Sequence, residues 1–274
     1  MPTARRPAPS LPVALLALLG SLLGCAGEAA RGVLLATTTS VHDTGLLDSL
    51  LPAFERRCGC EVKSVAVGSG QALALAARGE ADVVIAHAPE LEERYVAAGE
   101  LTDRRPLLSN DFVLVGPADD PAGIAGLGLA EAMRRLARGR VPFVSRADSS
   151  GTHLVELRLW RAAGARPRGD WYLESGQGMA ATLRLASERG AYAITDRATF
   201  VTLAPSLALR IVLEGEPDLR NVYHVLRPDP RRHPRVNVEG GRALAGFLVS
   251  PEAQGLIAGF GRARFGAPLF RPAH

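Results

Sequence analysis

Short apolar runs alternate with apolar positions at helical spacing along most of the chain. In the first unit, the run from Val33 to Ala36 is followed by a polar turn and then by apolar residues from Leu46 to Phe54 on one helical face. The pattern predicts strands at residues 33–36, 61–67, 81–86, 112–115, 143–145, 192–195, 207–213 and 222–226, and helices at residues 46–54, 71–78, 91–98, 133–137, 153–163, 179–187 and 243–260 with a break near residue 251. This alternation is typical of an α/β protein whose mostly parallel sheets are flanked by helices.

The N-terminal residues follow a different pattern. Two arginines precede an apolar stretch from Leu11 to Leu23, which is short for a membrane span and typical of the hydrophobic region of a signal peptide. The stretch ends in Leu-Leu-Gly-Cys25, which resembles the bacterial lipobox and implies a lipid anchor on Cys25. The alternatives are an ordinary secretory signal with a chance cysteine and, less favoured, a cytoplasmic protein with a buried N-terminal helix. We therefore expect residues 1–24 to be a lipoprotein signal peptide and the mature protein to be extracytoplasmic or periplasmic.

The length and composition are sufficient for two lobes. The chain has 274 residues, and 47% of them are apolar. Gly116-Pro117 closes the predicted strand at residues 112–115, and a second α/β series follows it. We expect the chain to cross between the lobes at residues 112–117 and again near residues 196–207. The predicted division assigns residues 25–114 and 205–274 to lobe 1 and residues 115–204 to lobe 2.

Charge and histidine spacing exclude several classes of function. The net charge is +4, from 32 basic and 28 acidic residues, and basic residues do not form dense clusters with interleaved aromatics. A nucleic-acid partner is therefore not expected. The six histidines show no metal-ligand spacing, so we predict neither a metal-cation site nor a cofactor.

Cys58 and Cys60 flank Gly59. In an oxidising compartment a cysteine pair is a candidate disulfide, although two cysteines so close in sequence rarely meet its geometry without strain. We favour structural thiols, or a pairing that closes a tight turn, over metal or redox chemistry.

Three polar turns follow predicted strands and carry the candidate chemistry. In open α/β sheets, ligands bind beyond the carboxyl ends of strands, where helix N-termini present free amide hydrogens. The first turn is Thr37-Thr38-Thr39-Ser40, the second is Gly68-Ser69-Gly70-Gln71, and the third runs from Ser145 to His153 and contains Arg146 and Ser150-Gly151-Thr152. Each alone is also compatible with an ordinary helix cap. Together their hydroxyls, amides and one guanidinium form a set of hydrogen-bond donors that suits a tetrahedral oxyanion.

Other conspicuous residues receive structural interpretations or leave alternatives. Ser150 with His153 suggests a nucleophile and a base, but no orienting acid can be assigned, so hydrolase chemistry is disfavoured. His87 faces the cleft or lies in a solvated turn. We expect Asp196-Arg197 to form local structure near the hinge. Trp160, Trp171 and Tyr172 are interpreted as packing residues.

Several long blocks carry a family resemblance. The blocks, which together cover most of residues 33–200, are LATTTSVHDTGLLDSLLPAFE, VAVGSGQALALAARGEADVVIAHAPELEE, NDFVLVGPADDPAGI, FVSRADSSGTHLVELRLW and WYLESGQGMAATLRLASERGAYAITDRATF. They resemble the tungstate-binding proteins of bacterial tungstate ABC transporters. The resemblance implies a two-lobe type II periplasmic-binding-protein fold that closes around tungstate, or molybdate, and delivers it to an ABC permease. We expect a monomer without enzymatic activity.

The same resemblance implies ligand contacts. These are Thr38 and Thr39 in the first turn, Ser69 in the second, and Arg146 with Thr152 in the third, with Ser150 and Gly151 as supports. Arg146 is expected to be the discriminating residue. Ser69 and Ala147 depart from the family pattern, in which a threonine and a glycine are usual; Ala147 puts one backbone contact in doubt.

Phosphate is a rival ligand because residues 146–152 also resemble the R-x-x-x-S-G-T signature of phosphate-binding proteins. Those proteins place an Asp after the third strand to accept the phosphate proton, whereas this chain has His87 there. A donor at that position suits a fully ionised anion, and sulfate passes the same test. An exported enzyme acting on phosphate esters is the alternative from a different class.

Overall fold

A computed structural model describes Met1 and residues 32–273. Cys25 and the predicted signal peptide, Met1 apart, lie outside the described residues. Within the described part, no single helix is long and apolar enough to cross a membrane. Two consecutive helical segments, residues 238–248 and 251–265, meet that test only as a pair bent by 52°, and only by length and composition.

The described residues form ten strands and eleven α-helices. The strands are β1 (Val33–Thr38), β2 (Val62–Val67), β3 (Val83–Ala86), β4 (Leu101–Pro117), β5 (Phe143–Ser145), β6 (Tyr172–Glu174), β7 (Ala193–Asp196), β8 (Leu209–Leu213), β9 (Arg220–Pro228) and β10 (Arg271–Pro272). The helices are α1 (Thr39–Asp43), α2 (Leu46–Cys58), α3 (Ser69–Ala77), α4 (Pro89–Ala97), α5 (Leu129–Gly139), α6 (Gly151–Ala162), α7 (Met179–Arg189), α8 (Arg197–Leu203), α9 (Val238–Leu248), α10 (Pro251–Gly259) and α11 (Arg262–Phe265). The α/β class and every predicted strand and helix are confirmed, most of them with shifted ends.

The long strand β4 runs through both halves of the molecule. Its first part, up to Asp111, pairs with β9, and the order of that sheet is β10-β4-β9-β3-β1-β2. From Phe112 onward β4 pairs with β7 and β8. The strands β5 and β6 form a separate parallel pair.

The predicted mostly parallel character is only partly correct. The pairs of β1 with β2 and with β3 are parallel. All pairs made by β4 and β9 are antiparallel. The sheets are therefore mixed.

Alternating side chains of the central strands supply separate cores on the two faces of each half. Leu35 and Ile85 belong to one cluster, whereas Ala36 and Val84 belong to another. In the second half, Phe112 and Leu114 lie in one cluster and Val113 and Val115 in the opposite one. Successive side chains of a strand point to opposite faces of the sheet, and here both faces are buried, as in sheets covered by helices on both sides.

The lobe limits at 114/115 and 204/205 stay a prediction. Strand β8 pairs with β4 residues 114–117, and its Val212 and Leu213 pack in the same cluster as Phe112. Strand β9 then returns the chain to the sheet that contains β1 and β3.

Cys58 and Cys60 form a disulfide. It closes the turn at the C-terminus of α2, where Gly59 takes a left-handed φ of 64°. Of the two predicted states of these cysteines, structural thiols or a pairing that closes a tight turn, the structure contains the pairing.

Candidate functional site

The second and third turns pack directly against each other across the two halves. A methyl group placed on Gly151 would lie 2.4 Å from the carbonyl oxygen of His87, and one on Gly70 would lie 3.0 Å from that of Ser149. These glycines therefore allow the start of α6 to approach the end of β3 and the start of α3 more closely than any side chain would permit.

The first turn lies close to the contact between the second and third turns. Asp43, at the end of α1, is close enough to Arg146 for the guanidinium to act electrostatically on its carboxyl group, while burial raises the pKa of Asp43. Thr39 lies beside Gly178, at the N-terminus of α7, where a methyl group on the glycine would be 3.8 Å from Thr39 Oγ1. The three predicted turns thus converge, and the start of α7 joins them.

The hydroxyls of the first turn have different tasks. Thr38 caps α1 by accepting a hydrogen bond from the Val41 amide, and it shares a 3.0 Å hydrogen bond with Ser40, which in turn contacts Tyr223. The buried hydroxyl oxygens of Thr37 and Thr39 have no partner among the described residues. Thr39 is therefore freer than Thr38 to bind a ligand, and Thr37 joins the candidates.

Ser69 begins α3 and is fully buried. Its Oγ accepts a hydrogen bond of 3.2 Å from the His87 amide. Since this bond uses only an oxygen lone pair, the Ser69 hydroxyl hydrogen is still available for donation. The bond also fixes the second turn to the end of β3.

Arg146 is buried, with 2% of its side chain exposed, and is paired with Asp148. Its Nε lies 3.1 Å from Asp148 Oδ2, and its Nη2 donates to the same oxygen. Asp148 Oδ1 accepts from the Ser150 amide at 3.1 Å, so this carboxylate holds the turn together. The guanidinium is therefore held in one orientation by a carboxylate that also offsets part of its charge.

The rest of the third turn is built as a helix N-terminus. Ser150 caps the twelve-residue helix α6 by accepting from the His153 amide, and Thr152 Oγ1 is buried without a partner in the described part of the chain. Ala147 and Ser149 take left-handed φ values of 50° and 58°. A glycine at position 147 would adopt this left-handed conformation without strain. Ala147 adopts it at a conformational cost of about 1–2 kcal/mol.

His87 is a buried residue of the interface, not a solvated turn residue. Its ring stacks on Tyr223 with centroids 4.5 Å apart, and Nδ1 lies 2.9 Å from Asn221 Oδ1. Burial lowers the pKa of His87 to about 4. The ring is therefore neutral near pH 7 and carries a single proton, so it brings no positive charge to an anion and only one of its two nitrogens can donate.

The geometry gives no support to a Ser150–His153 nucleophile and base. Ser150 Oγ accepts from the backbone amide of His153, while His153 Nδ1 accepts from the Ser149 amide at 3.1 Å. The imidazole is thus engaged elsewhere. No group of three or more His, Cys, Asp or Glu residues in the described part of the chain is arranged to hold a metal ion.

Asp196 and Arg197 form local structure at the crossing strands, as expected. Asp196 caps α8 by accepting from the Thr199 amide at 2.9 Å, and Arg197 forms ion pairs with Asp111 and Glu214. The three aromatic residues also pack as expected, since Trp160 contacts both Trp171 and Tyr172 edge to face.

The comparisons with known proteins agree with this architecture. A family model described as "PBP superfamily domain" matches residues 25–252. The chain belongs to the PBP superfamily. It is 40% identical over 277 aligned positions to the tungstate-binding protein TupA of Peptoclostridium acidaminophilum, covering 96% of this chain and 97% of that protein.

Solved structures give the same result. The tungstate ABC transporter structure from Geobacter sulfurreducens is 42% identical, with a TM-score of 0.76, and the match covers 84% of this chain and 98% of that one. The tungstate-binding protein TupA of Desulfovibrio alaskensis G20 is 38% identical, with a TM-score of 0.74, covering 89% and 99%. The two-lobe periplasmic-binding-protein fold predicted from the sequence is thus confirmed.

Proposed function

We propose that this chain is an extracytoplasmic receptor that captures one tungstate or molybdate ion between its lobes and delivers it to an ABC permease. The ligand would be bound by Thr38, Thr39, Ser69, Arg146 and Thr152, supported by Ser150 and Gly151. It would need no cofactor and catalyse no reaction. The names of its relatives support the choice of oxyanion.

The observation that carries the proposal is a set of buried hydroxyls without partners. Thr39 Oγ1 and Thr152 Oγ1 come from opposite halves, and each is buried with no partner among the described residues. A buried polar atom without a hydrogen bond costs about 1–3 kcal/mol. A bound oxyanion would offset that cost, because its oxygens would accept hydrogen bonds from these hydroxyls.

The charge around the site fits a small, fully ionised anion. Arg146 supplies one guanidinium, and the N-termini of α6 and α7 add partial positive charge from their free amides. Of the nearby carboxyl groups, Asp148 accepts from Arg146 and from the Ser150 amide, and Asp196 caps α8 through Oδ1. Burial raises the pKa of Asp43, which favours its neutral form. A desolvated dianion is tolerable only where donors surround it in this way.

The location and the delivery step complete the proposal. We place the protein on the outer side of the membrane, held as a monomer by a lipid on Cys25, and we assign residues 1–24 to the signal peptide. Closure of the lobes is the functional step, since a ligand shifts the population only when it binds the closed form better than the open form.

The decisive experiment uses valine in place of the unpartnered threonines. Thr39→Val and Thr152→Val keep the shape but remove the donor, so we expect each to weaken tungstate binding by about tenfold in calorimetry. The stability of the ligand-free protein should stay constant or rise, because a buried unsatisfied hydroxyl disappears. Thr202→Val is the matched control, since its hydroxyl donates to the Ala198 carbonyl away from the site.

The same calorimetry tests the ligand class. Tungstate and molybdate should bind with one ion per chain, and phosphate and sulfate should compete weakly. Unchanged tungstate affinity in both valine variants, or preferential binding of phosphate, would contradict the proposal. Turnover of phosphate esters that Ser150→Ala abolishes would favour the enzyme instead.

A further inference from the structure

A chain of buried and part-buried side-chain hydrogen bonds leads away from His87. His87 Nδ1 lies 2.9 Å from Asn221 Oδ1, and Asn221 Nδ2 donates to Asn110 Oδ1 at 2.7 Å. Asn110 Nδ2 then donates to Asp196 Oδ1 at 3.3 Å. We call His87, Asn221, Asn110 and Asp196 the hinge relay.

The direction of every bond in the hinge relay follows from its end at Asp196. Asp196 Oδ1 accepts from the Thr199 amide and from Asn110 Nδ2, which places the Asn110 amide nitrogen toward this carboxyl group. The Asn110 oxygen then faces Asn221, which leaves the Asn221 oxygen toward His87. Because an amide oxygen only accepts, the His87 proton must be on Nδ1.

The His87 ring is also held by its two faces. Tyr223 stacks on it with an interplanar angle of 17°, and Phe112 lies beyond with a centroid distance of 5.9 Å. Stacking fixes the ring plane, and the bond to Asn221 fixes the rotation within that plane. Tyr223 is itself tied to Asn221 by a hydrogen bond of 3.2 Å.

The hinge relay lies where β4 changes partners. Asn110 is opposite Asn221 in the pairing of β4 with β9, and Phe112 is opposite Asp196 in the pairing of β4 with β7. Any hinge motion that uses these crossing strands changes the geometry at this point. The relay therefore joins the crossing strands to the ligand cleft.

The end of the relay at His87 is a packing surface for the other lobe. A methyl group on Gly151 would lie 2.8 Å from His87 Cε1 and 2.9 Å from Nδ1. The start of α6 therefore reaches its position only when the imidazole keeps its orientation.

We propose that Asn221, Asn110 and Asp196 are positioning residues that hold the His87 ring, with its proton on Nδ1, as the surface on which Gly151 packs when the lobes close. The expected effect on ligand binding rests on the function proposed above. The position of the proton on the His87 ring is independent of that function, because it can be measured in the ligand-free protein.

The test combines imidazole ¹⁵N NMR with tungstate calorimetry on the full mature chain. In the wild type, the His87 signals should report a neutral ring protonated at Nδ1 near pH 7. Asn221→Leu removes the acceptor, so the proton should move partly or fully to Nε2, and tungstate affinity should fall by about tenfold. If that variant does not fold, Asn110→Ala, which frees the Asn221 amide to flip, serves the same purpose.

Two matched variants separate positioning from stability. Gln254→Leu removes another buried amide that bonds to the Leu107 and Leu248 carbonyls, so it should lower stability without moving the His87 proton or the affinity. Asp196→Asn keeps an oxygen that can accept from Thr199 and Asn110, so it should retain the wild-type tautomer.

The outcomes are distinguishable. A wild-type ring protonated at Nε2, or a tautomer that Asn221→Leu and Asn110→Ala leave unchanged, would overturn the relay. A changed tautomer with unchanged tungstate affinity would overturn its role in closure. Absence of tungstate binding in the wild type would defeat the proposed function and leave the tautomer result standing.

Discussion

Replacing Gly151 by alanine should selectively destabilise the closed form. The added methyl group would lie 2.4 Å from the His87 carbonyl oxygen and within 3 Å of two ring atoms. His87 is buried and bonded through its amide to Ser69 and through its ring to Asn221, so it cannot easily move away. Overpacking of this kind costs about 1–3 kcal/mol.

We expect that cost in the closed form only. Gly151 does not have a left-handed φ, and alanine suits a helical position, so the open form should tolerate the change. At 1.4 kcal/mol per factor of ten, tungstate affinity should fall roughly 5- to 150-fold. Small-angle X-ray scattering should show a larger open fraction at a fixed tungstate concentration.

The matched control is Gly128→Ala. Gly128 lies directly before α5 in the second half, and a methyl group there would meet no atom within 4 Å. Its tungstate affinity should equal that of the wild type. If Gly151→Ala binds tungstate within a factor of about two of the wild type, or if both variants lose affinity equally, the reasoning about closure is refuted.

Three further predictions concern charge, pH and the membrane. Arg146→Ala removes the guanidinium and leaves Asp148 unpaired, so tungstate binding should weaken by at least about 1.5–3 kcal/mol in calorimetry; an unchanged dissociation constant would remove Arg146 from the site. Burial raises the pKa of Glu156 from 4.5 to about 7. Between these two pH values the native state keeps a proton that the unfolded chain has lost, so the free energy of unfolding falls as the pH rises from 4.5 to about 7. Glu156→Gln keeps an acceptor for Tyr172 and should raise the free energy of unfolding by about 1–3 kcal/mol at pH 8 but not at pH 4; an equal change at both pH values would contradict this. Cys25→Ser should release the protein from membranes in a fractionation assay, and continued attachment would refute acylation there.

Local patterns in the sequence were sufficient for most of the fold. The strand predicted at residues 143–145 has those same limits in the structure, and the helix predicted from residue 179 begins there. The first part of β4 was missed because charged residues such as Arg104 and Arg105 interrupt its apolar pattern. It is a strand because it pairs with β9, which a local window does not contain.

The candidate site was predictable where it depends on turns and not where it depends on distant pairs. Strand–turn–helix patterns placed the residues of all three turns, and the structure brings those turns together. The partners of His87 could not be predicted, because Asn221 is 134 positions away in the chain. The unpartnered hydroxyl of Thr37 and the contribution of α7 also became visible only in three dimensions.

The central claim is that donors from both lobes enclose one bare oxyanion. A crystal structure of the tungstate complex, with tungsten located by its anomalous scattering, tests it most directly. We expect a single peak within hydrogen-bonding range of Thr39, Ser69, Arg146 and Thr152. A fully loaded crystal whose tungsten peak lies outside the space between these residues would contradict it.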